Sequence, residues 1–397
     1  MNPFIYNLDF VKEQSSKELF NVVSLFAGGG GSSTGYRLAG GKVLAINEFI
    51  PAAQDAYAIN YPETYIFKQD IRDLTGQMVL NQIGFKKGEL DILDGSPPCS
   101  SFSMAGLREK GWGVEKKYSD SSQRTDDLFF EFARILKEVQ PKVFICENVK
   151  GITMGEASNL LGSEQINIFG EEKNTIFHTL VDCGYNVRYK VLNAKNFLVP
   201  QSRERTIFIG VRKDIKKQIT FPITKNEQIT IGEALPWIKR ISAKKKCFNE
   251  TELRTIEKHE VCSTISSDGL FASRRHFIEL DNEFKNLSKE QERVYELQLS
   301  GESMKACGDR IGERISGMTR IKLDENKPCS TVLTAPELWH PFEKRTLSIG
   351  ELKIICSFPY DYYCGNTFSN KWERLGRAVP PLMMKSVADH VYKTILS

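Results

Sequence analysis

The stretch NVVSLFAGGGGSST, residues 21–34, carries an apolar run directly into four glycines and then into hydroxyl residues. The run is short and apolar enough for a buried strand. Glycines let a ligand approach the backbone, and serines or threonines suit the start of a helix, whose first N–H groups are open to a ligand. Strand, glycine turn and helix together form the opening unit of an α/β fold. Downstream the pattern recurs: KVLAINE (42–48), ELDILDGSPP (89–98), PKVFICENV (141–149) and RTIFIGV (205–211) are further strand candidates, spaced to leave room for helices. Between them, DDLFFEFARILKEVQP (126–141) sets Leu128, Phe129, Phe132, Ile135 and Leu136 at helical spacing, with Asp126 as N-cap and Pro141 as stop. This alternation predicts an α/β class with a doubly wound, mostly parallel sheet.

A chain of 397 residues has room for two or three domains. Residues 1–211 hold the regular alternation. From 212 to 340 the periodicity weakens and basic clusters gather: Lys216-Lys217, Lys239-Arg240, Lys244-Lys245-Lys246 and Arg274-Arg275. That segment reads as a smaller, irregular second domain. Residues 341–397 turn helical again in TLSIGELKIICSFP and KSVADHVYKTIL, and are expected to return to the first domain. A net charge of +4 permits nucleic-acid binding without demanding it, so the clusters matter more than the sum. The N-terminal twenty residues contain acids and no continuous apolar run, and no window approaches the roughly 18–20 apolar residues of a membrane span. Neither a secretory leader nor a membrane partner is therefore expected. Nine scattered cysteines without a CxxC pair argue against a zinc cage and a disulfide scaffold, so no metal and a reducing cytoplasm are expected.

Two sets of residues suggest chemistry. The first is a nucleotide pocket. Gly28, Gly30 and Gly31 form the turn, Glu48 ends the next strand where a carboxylate can accept from ribose hydroxyls, and Asp70 ends IFKQD, where it can accept from an adenine amino group. A strict GxGxxG fails in both frames, ending at Ser33 or Thr34. An adenosine carrying a small zwitterion fits as well as a dinucleotide, and a turn that serves packing alone stays open. The second set surrounds Cys99 in DGSPPCSSFSMAG (94–106), an odd home for a residue that is usually a small buried hydrophobe. Glu147 and Asn148 end the VFICENV strand at the same sheet edge. Arg203 and Arg205 stand two apart in PQSRERTIF, on one face of a strand. A thiol, a carboxyl group able to hold a proton and two guanidinium groups suit an electron-poor planar heterocycle.

Taken in order, FAGGGG, the NE of AINEF, QDI, GSPPCSSFS, ENVKG, QSRER, HPFEKRTLSIGELKIICSFP and LGRAVPP resemble the DNA cytosine-5 methyltransferases, over nearly the whole chain. The resemblance implies a Rossmann-like S-adenosylmethionine-dependent fold, with a catalytic domain over 1–211, a target-recognition domain over 212–340 and a C-terminal segment, 341–397, returning to the first. It implies double-stranded DNA as partner and S-adenosyl-L-methionine as cofactor. It further implies that the Cys99 thiolate attacks cytosine C6, that Glu147 holds a proton at N3, that Arg205 contacts O2 and that Arg203 supports the site. Phe26, Gly28, Gly30, Gly31, Glu48, Phe49, Asp70, Ile71, Pro98, Leu128, Ala378 and Val379 would line the cofactor pocket. The base must be flipped out of the duplex, and residues 100–125 would close over it. A monomer, with any cognate restriction endonuclease encoded separately, is the expected form.

One position departs from the family. Where most members have asparagine in the last element, this chain has Arg377 in LGRAVPP. A guanidinium beside a sulfonium meets like charge. Arg377 can turn to a DNA phosphate or a protein carboxylate; it can weaken cofactor binding; or it can pair with a donor bearing an extra carboxylate. The last would make carboxy-S-adenosyl-L-methionine the cofactor and 5-carboxymethylcytosine the product. A tRNA substrate and a catalytically silent DNA-binding relative are the remaining alternatives. The first lacks its Cys-Phe-Thr signature here, and the second is opposed by the presence of Cys99 and Glu147.

Overall fold

The computed structural model describes residues 5–98, 116–117, 122–123, 128–153, 176–235, 238 and 283–397. Cys99, the proposed helix cap Asp126 and the basic clusters from Lys239 to Arg275 lie outside the described residues, as does most of 100–125. The described helices are α1 (Leu8–Ser15), α2 (Gly31–Leu38), α3 (Pro51–Asn60), α4 (Gly76–Ile83), α5 (Leu128–Val139), α6 (Ile176–Asp182), α7 (Ile231–Ala234), α8 (Lys289–Leu297), α9 (Met304–Ile311), α10 (Ile349–Ile355), α11 (Phe368–Arg377) and α12 (Pro381–Val391). The chain divides into two compact units, one of Lys12–Asn193, Glu204–Ile223 and Met384–Ser397, the other of Met1–Val11, Ala194–Arg203 and Thr224–Met383. Residues 341–383 thus group with the second unit and the last fourteen with the first.

The first unit is built on a seven-stranded sheet. Its strands are β1 (Asn21–Leu25), β2 (Lys42–Asn47), β3 (Tyr65–Phe67), β4 (Ile92–Gly95), β7 (Val143–Val149), β8 (Tyr185–Asn193) and β9 (Glu204–Arg212), in the order β3-β2-β1-β4-β7-β9-β8. A two-stranded antiparallel ribbon, β5 (Lys116–Lys117) and β6 (Ser122–Gln123), lies between β4 and α5 in sequence. Pairs β3-β2, β2-β1, β1-β4 and β4-β7 are parallel, while β9 runs antiparallel to both β7 and β8. The mostly parallel, doubly wound sheet expected from the sequence is what forms. The chain moves from β1 outward to β3, then returns to β4 on the other side of β1. That reversal makes a crevice beyond the strand ends where ligands bind in such sheets. The glycine turn after β1 and the Ser96-Pro97-Pro98 turn after β4 both belong to it.

Strand alternation sorts the side chains. Val23, Leu25, Ala45, Leu93 and Phe144 enter one core with Val79 and Leu80 of α4, Phe132, Ile135 and Leu136 of α5, and Leu180 of α6. The apolar stripe of α5 matches its sequence periodicity, and each fully buried Phe or Leu contributes about 1.5–3 kcal/mol. Gly95 belongs to this packing, because a Cβ there would stand 2.6 Å from the Phe132 ring. Ser24, Asp94 and Glu147 alternate with the core residues of their strands.

The second unit is less regular. Helices α8 and α9 start at Ser288 and Ser303, whose hydroxyls accept from the N–H groups of Gln291 and Ala306. Leu287, Val294, Tyr295, Met304, Cys307 and Trp339 form its small core, beside the parallel pair β10 (Ile321–Lys322) and β11 (Leu338–Trp339). The HPFEKRTLSIGEL stretch holds a buried ion pair, with Arg345 donating from both terminal nitrogens to Glu351 at 2.9 Å. Among the described residues, no helix is long and apolar enough to cross a membrane.

Candidate active site

The glycine turn is held in an uncommon conformation. Phe26, a non-glycine residue, has φ 55°, and Gly28 and Gly30 have φ 53° and 78°. A left-handed phenylalanine persists only where its surroundings enforce it, and such residues gather at ligand sites. The turn is held at the end of β2, where Ala27 N–H donates to the Asn47 carbonyl at 3.1 Å, and by Glu48 just beyond it, which accepts from Gly28 N–H through Oε2 at 2.7 Å and from Ile50 N–H through Oε1 at 2.8 Å. Asn47 in turn donates to the carbonyls of Phe67 and Gln69, tying β2 to the end of β3. Glu48 is therefore buried and fixed before any ligand arrives. Asp70 caps the turn Ile71–Asp73 and pairs with Arg72 at 2.9 Å. Ile71 and Leu128 are buried in the core, whereas Phe49 and Pro98 are half-buried.

These residues fit an adenosine-bearing cofactor. The space where a side chain at Gly28 would stand is open, its nearest neighbour being the Phe26 carbonyl oxygen 4.0 Å away. Ser33 Oγ, in the first turn of α2, is buried with no hydrogen-bond partner in the protein. Gly30 and Gly31 open α2, where the first N–H groups have no partner within the helix. Among the described residues no cluster of His, Cys, Asp or Glu is placed to hold a metal ion.

Glu147 and Arg205 meet at the ends of β7 and β9. Arg205 Nε lies 2.7 Å from Glu147 Oε1, and both side chains are largely buried. Burial pulls Arg205 below its ordinary range, opposed by the charge and hydrogen bond of Glu147. Asn148 donates through Nδ2 to the Pro97 carbonyl at 3.3 Å, so the ENV strand end braces the turn two residues before Cys99. A further buried carboxyl escaped the sequence reading. Asp94 of β4, 1% exposed, accepts from Ser24 Oγ at 2.5 Å and Tyr36 Oη at 2.9 Å. Its only sequence signal was one acid inside an otherwise apolar strand.

The expectation that Arg203 and Arg205 share a strand face is corrected. β9 begins at Glu204, and Arg203 stands one residue before it. Its guanidinium is buried in the second unit, donating to the carbonyls of Val332 (2.9 Å), Gly376 (2.7 Å) and Arg377 (3.2 Å). It is drawn there because the carbonyls at the C-terminal end of α11 attract a cation. Arg377 itself is exposed, and its Nε and Nη2 each lie 2.8 Å from Glu373 Oε1, four residues earlier on α11. Ala378 is half-buried and Val379 buried.

Over residues 20–393 the sequence matches the profile of the C-5 cytosine-specific DNA methylases. It is 30% identical over 377 residues to the Type II methyltransferase M1.HphI of Haemophilus parahaemolyticus, covering 94% of this chain and 86% of the relative. It is 29% identical over 388 residues to the Type II methyltransferase M.Eco47II of Escherichia coli, covering 95% and 79%. In fold it resembles the crystal structure of an E. coli prophage-encoded protein described as a DNA modification methyltransferase, with a TM-score of 0.65 and 22% identity over 94% of this chain and 99% of the other.

Proposed function

The chain belongs to the C-5 cytosine-specific DNA methylases, and from that premise we propose that it methylates cytosine at C5 within a particular duplex sequence, through a covalent bond from Cys99. The observation that carries the mechanism is the Glu147–Arg205 pair, braced beside the Pro97-Pro98 turn by Asn148. Cytosine C5 is a poor nucleophile while the ring is aromatic. Addition of the Cys99 sulfur to C6 breaks the aromaticity and turns C5 into an enamine carbon. Glu147 holds a proton at N3, which accepts the ring charge as the sulfur adds. Arg205 anchors Glu147 through Nε and directs its guanidinium toward the base carbonyl O2. Once C5 carries its new methyl group, water takes the C5 proton, the C–H electrons restore the C5=C6 bond, the C6–S bond breaks and Cys99 is released as thiolate. S-adenosylmethionine, when bound, supplies the electrophilic methyl group; Gly28–Gly31, Glu48 and Asp70 would hold it.

None of this chemistry is reachable inside a duplex, so the target base is extruded, at a cost of a few kcal/mol. The basic 212–340 segment would read the surrounding bases in the major groove. The Type II designation of the relatives supports a role in restriction–modification, in the cytoplasm, beside a separately encoded endonuclease. The Arg377–Glu373 pair supports the ordinary methyl donor, since that guanidinium already has a protein carboxylate. Incubating the protein with duplex DNA and S-adenosylmethionine, then digesting to nucleosides for mass spectrometry, tests the proposal. 5-Methylcytosine is expected; its absence from DNA of all sequence contexts would refute it.

A further inference from the structure

Asp94 is a buried acid that the proposed reaction does not use. It sits five residues before Cys99, on the strand that leads into Pro97-Pro98. Ser24 is its register partner on β1, and Tyr36 reaches it from α2. One carboxyl thus joins three elements: the strand that enters the glycine turn, the helix that leaves it, and the strand of the nucleophile. Both neighbours donate, one hydroxyl to each oxygen, which is the pattern an ionised carboxylate accepts. A protonated carboxyl must donate its own O–H, forcing Ser24 or Tyr36 to turn its hydrogen elsewhere in a buried site. Burial pushes Asp94 up to about 7, against the two hydrogen bonds, and Glu147 raises it further. Around it, β1 offers only the Ser24 hydroxyl, α2 offers Tyr36, and β7 offers Glu147, with Cys146 acting on Tyr36. Tyr36 is itself held well above the ordinary range by burial and stays neutral.

We infer that Asp94 is a positioning residue for cofactor binding: as an anion it clamps β1 and α2 onto β4 and holds the glycine turn in shape, and as a neutral acid it releases that clamp. The inference rests on the reading that this turn holds S-adenosylmethionine. It makes cofactor affinity depend on pH through a residue that need not touch the cofactor. The ionised clamp costs stability. Because folding raises the proton affinity of Asp94, its contribution to stability is fullest below its unfolded value of about 4. That contribution is lost as the pH rises through about 7.

Two measurements on the full chain without DNA test this. The first is calorimetric binding of S-adenosylmethionine between about pH 5.5 and 8.5. Wild type should weaken about five- to tenfold toward acid, while Asp94→Asn, fixed in the neutral state, should stay at the weak plateau throughout. Titration of the ligand is common to both proteins and cancels in the comparison. Tyr36→Phe, which removes one donor to the anion, should move the break to higher pH, and it serves if Asp94→Asn does not fold. The second is thermal unfolding of the ligand-free proteins, where Asp94→Asn should gain on wild type as the pH rises from about 5 to 7.5. Identical pH dependence in wild type and both variants would overturn the clamp while leaving the cofactor reading intact. Absence of binding by wild type at every pH would instead overturn that reading, and the inference with it.

Discussion

At the scale of single residues, the reaction rests on which side chains are held and which can respond. Glu147 is fixed by Arg205 at 2.7 Å, so its position is set before the base arrives. Glu147→Gln keeps the shape and removes the proton-holding function. The expected result is a fall in kcat of about 10²- to 10⁴-fold, with DNA affinity little changed; a wild-type kcat in single-turnover assays would contradict the role. Arg377 was legible as a departure, but its meaning was not, because the sequence leaves open whether it turns to a DNA phosphate, a cofactor or a protein carboxylate, and the helical geometry of α11 gives it Glu373. Given a mixture of S-adenosylmethionine and its carboxylated analogue, wild type and Arg377→Asn should both form only 5-methylcytosine. Detection of 5-carboxymethylcytosine with wild type would reverse that conclusion. The Arg377 variant should lose less than about 0.5 kcal/mol of stability, the ordinary contribution of an exposed i,i+4 pair.

At the scale of elements, short apolar runs made β1, β2, β4, β7 and β9 legible, since they are buried nearly end to end, and helical periodicity made α5 legible. Arg203 was misread as a strand residue because a two-residue spacing says nothing about where a strand begins. Its carbonyl partners come from residues about 130 and 170 positions later, a pairing that no local pattern encodes. The HPFEKRTLSIGEL stretch shows a second case. Ser348 and Glu351 form a capping box that starts α10, and the same Glu351 takes both terminal nitrogens of Arg345. Burial opposes its charge, yet Arg345 holds Glu351 down at about 2, joined by His340 once the pH is low enough to protonate that ring. His340 is buried and neutral, pushed down to about 4 by burial, with Nδ1 accepting from the N–H groups of Phe342 and Glu343. Glu351→Gln would leave Arg345 in the interior with Glu343 as its remaining carboxylate. A loss of about 1.5–3 kcal/mol in denaturant unfolding at pH 7 is expected, the contribution of hydrogen bonds to a charged group. For wild type, the stabilising effect of this acid is complete above its unfolded value of about 4.3 and lost as pH falls through about 2. Unchanged stability of the variant would show that the pair does not hold α10.

At the scale of the whole molecule, the sheet order explains how motifs distant in sequence come to neighbouring strands. FAGGGG, NE, SPP and ENV are separated by tens of residues, yet β2, β1, β4 and β7 are consecutive neighbours in the sheet. The motifs end those strands, so the sheet brings them to one edge. That shared edge was legible, because strand ends in a parallel sheet face the same way. The clamp at Asp94 was not, since a buried acid in ILDG reads as an interrupted apolar strand until its partners on β1 and α2 are seen. The DNA interface, too, is legible only as charge: Lys216 and Lys217 lie among the described residues, but clusters of lysine carry no base code. Methylation should therefore be strongly salt-dependent in DNA affinity, and sequence-specific through contacts that composition does not encode. The central claim is that Cys99 bonds to cytosine C6. Fluorine at C5 cannot leave as the proton does, so duplex DNA containing 5-fluorocytosine should trap the enzyme when S-adenosylmethionine is present. Peptide mapping of the adduct by mass spectrometry should place the modified base on Cys99. Attachment to another cysteine, or turnover of ordinary DNA with no adduct on the fluorinated duplex, would contradict the account.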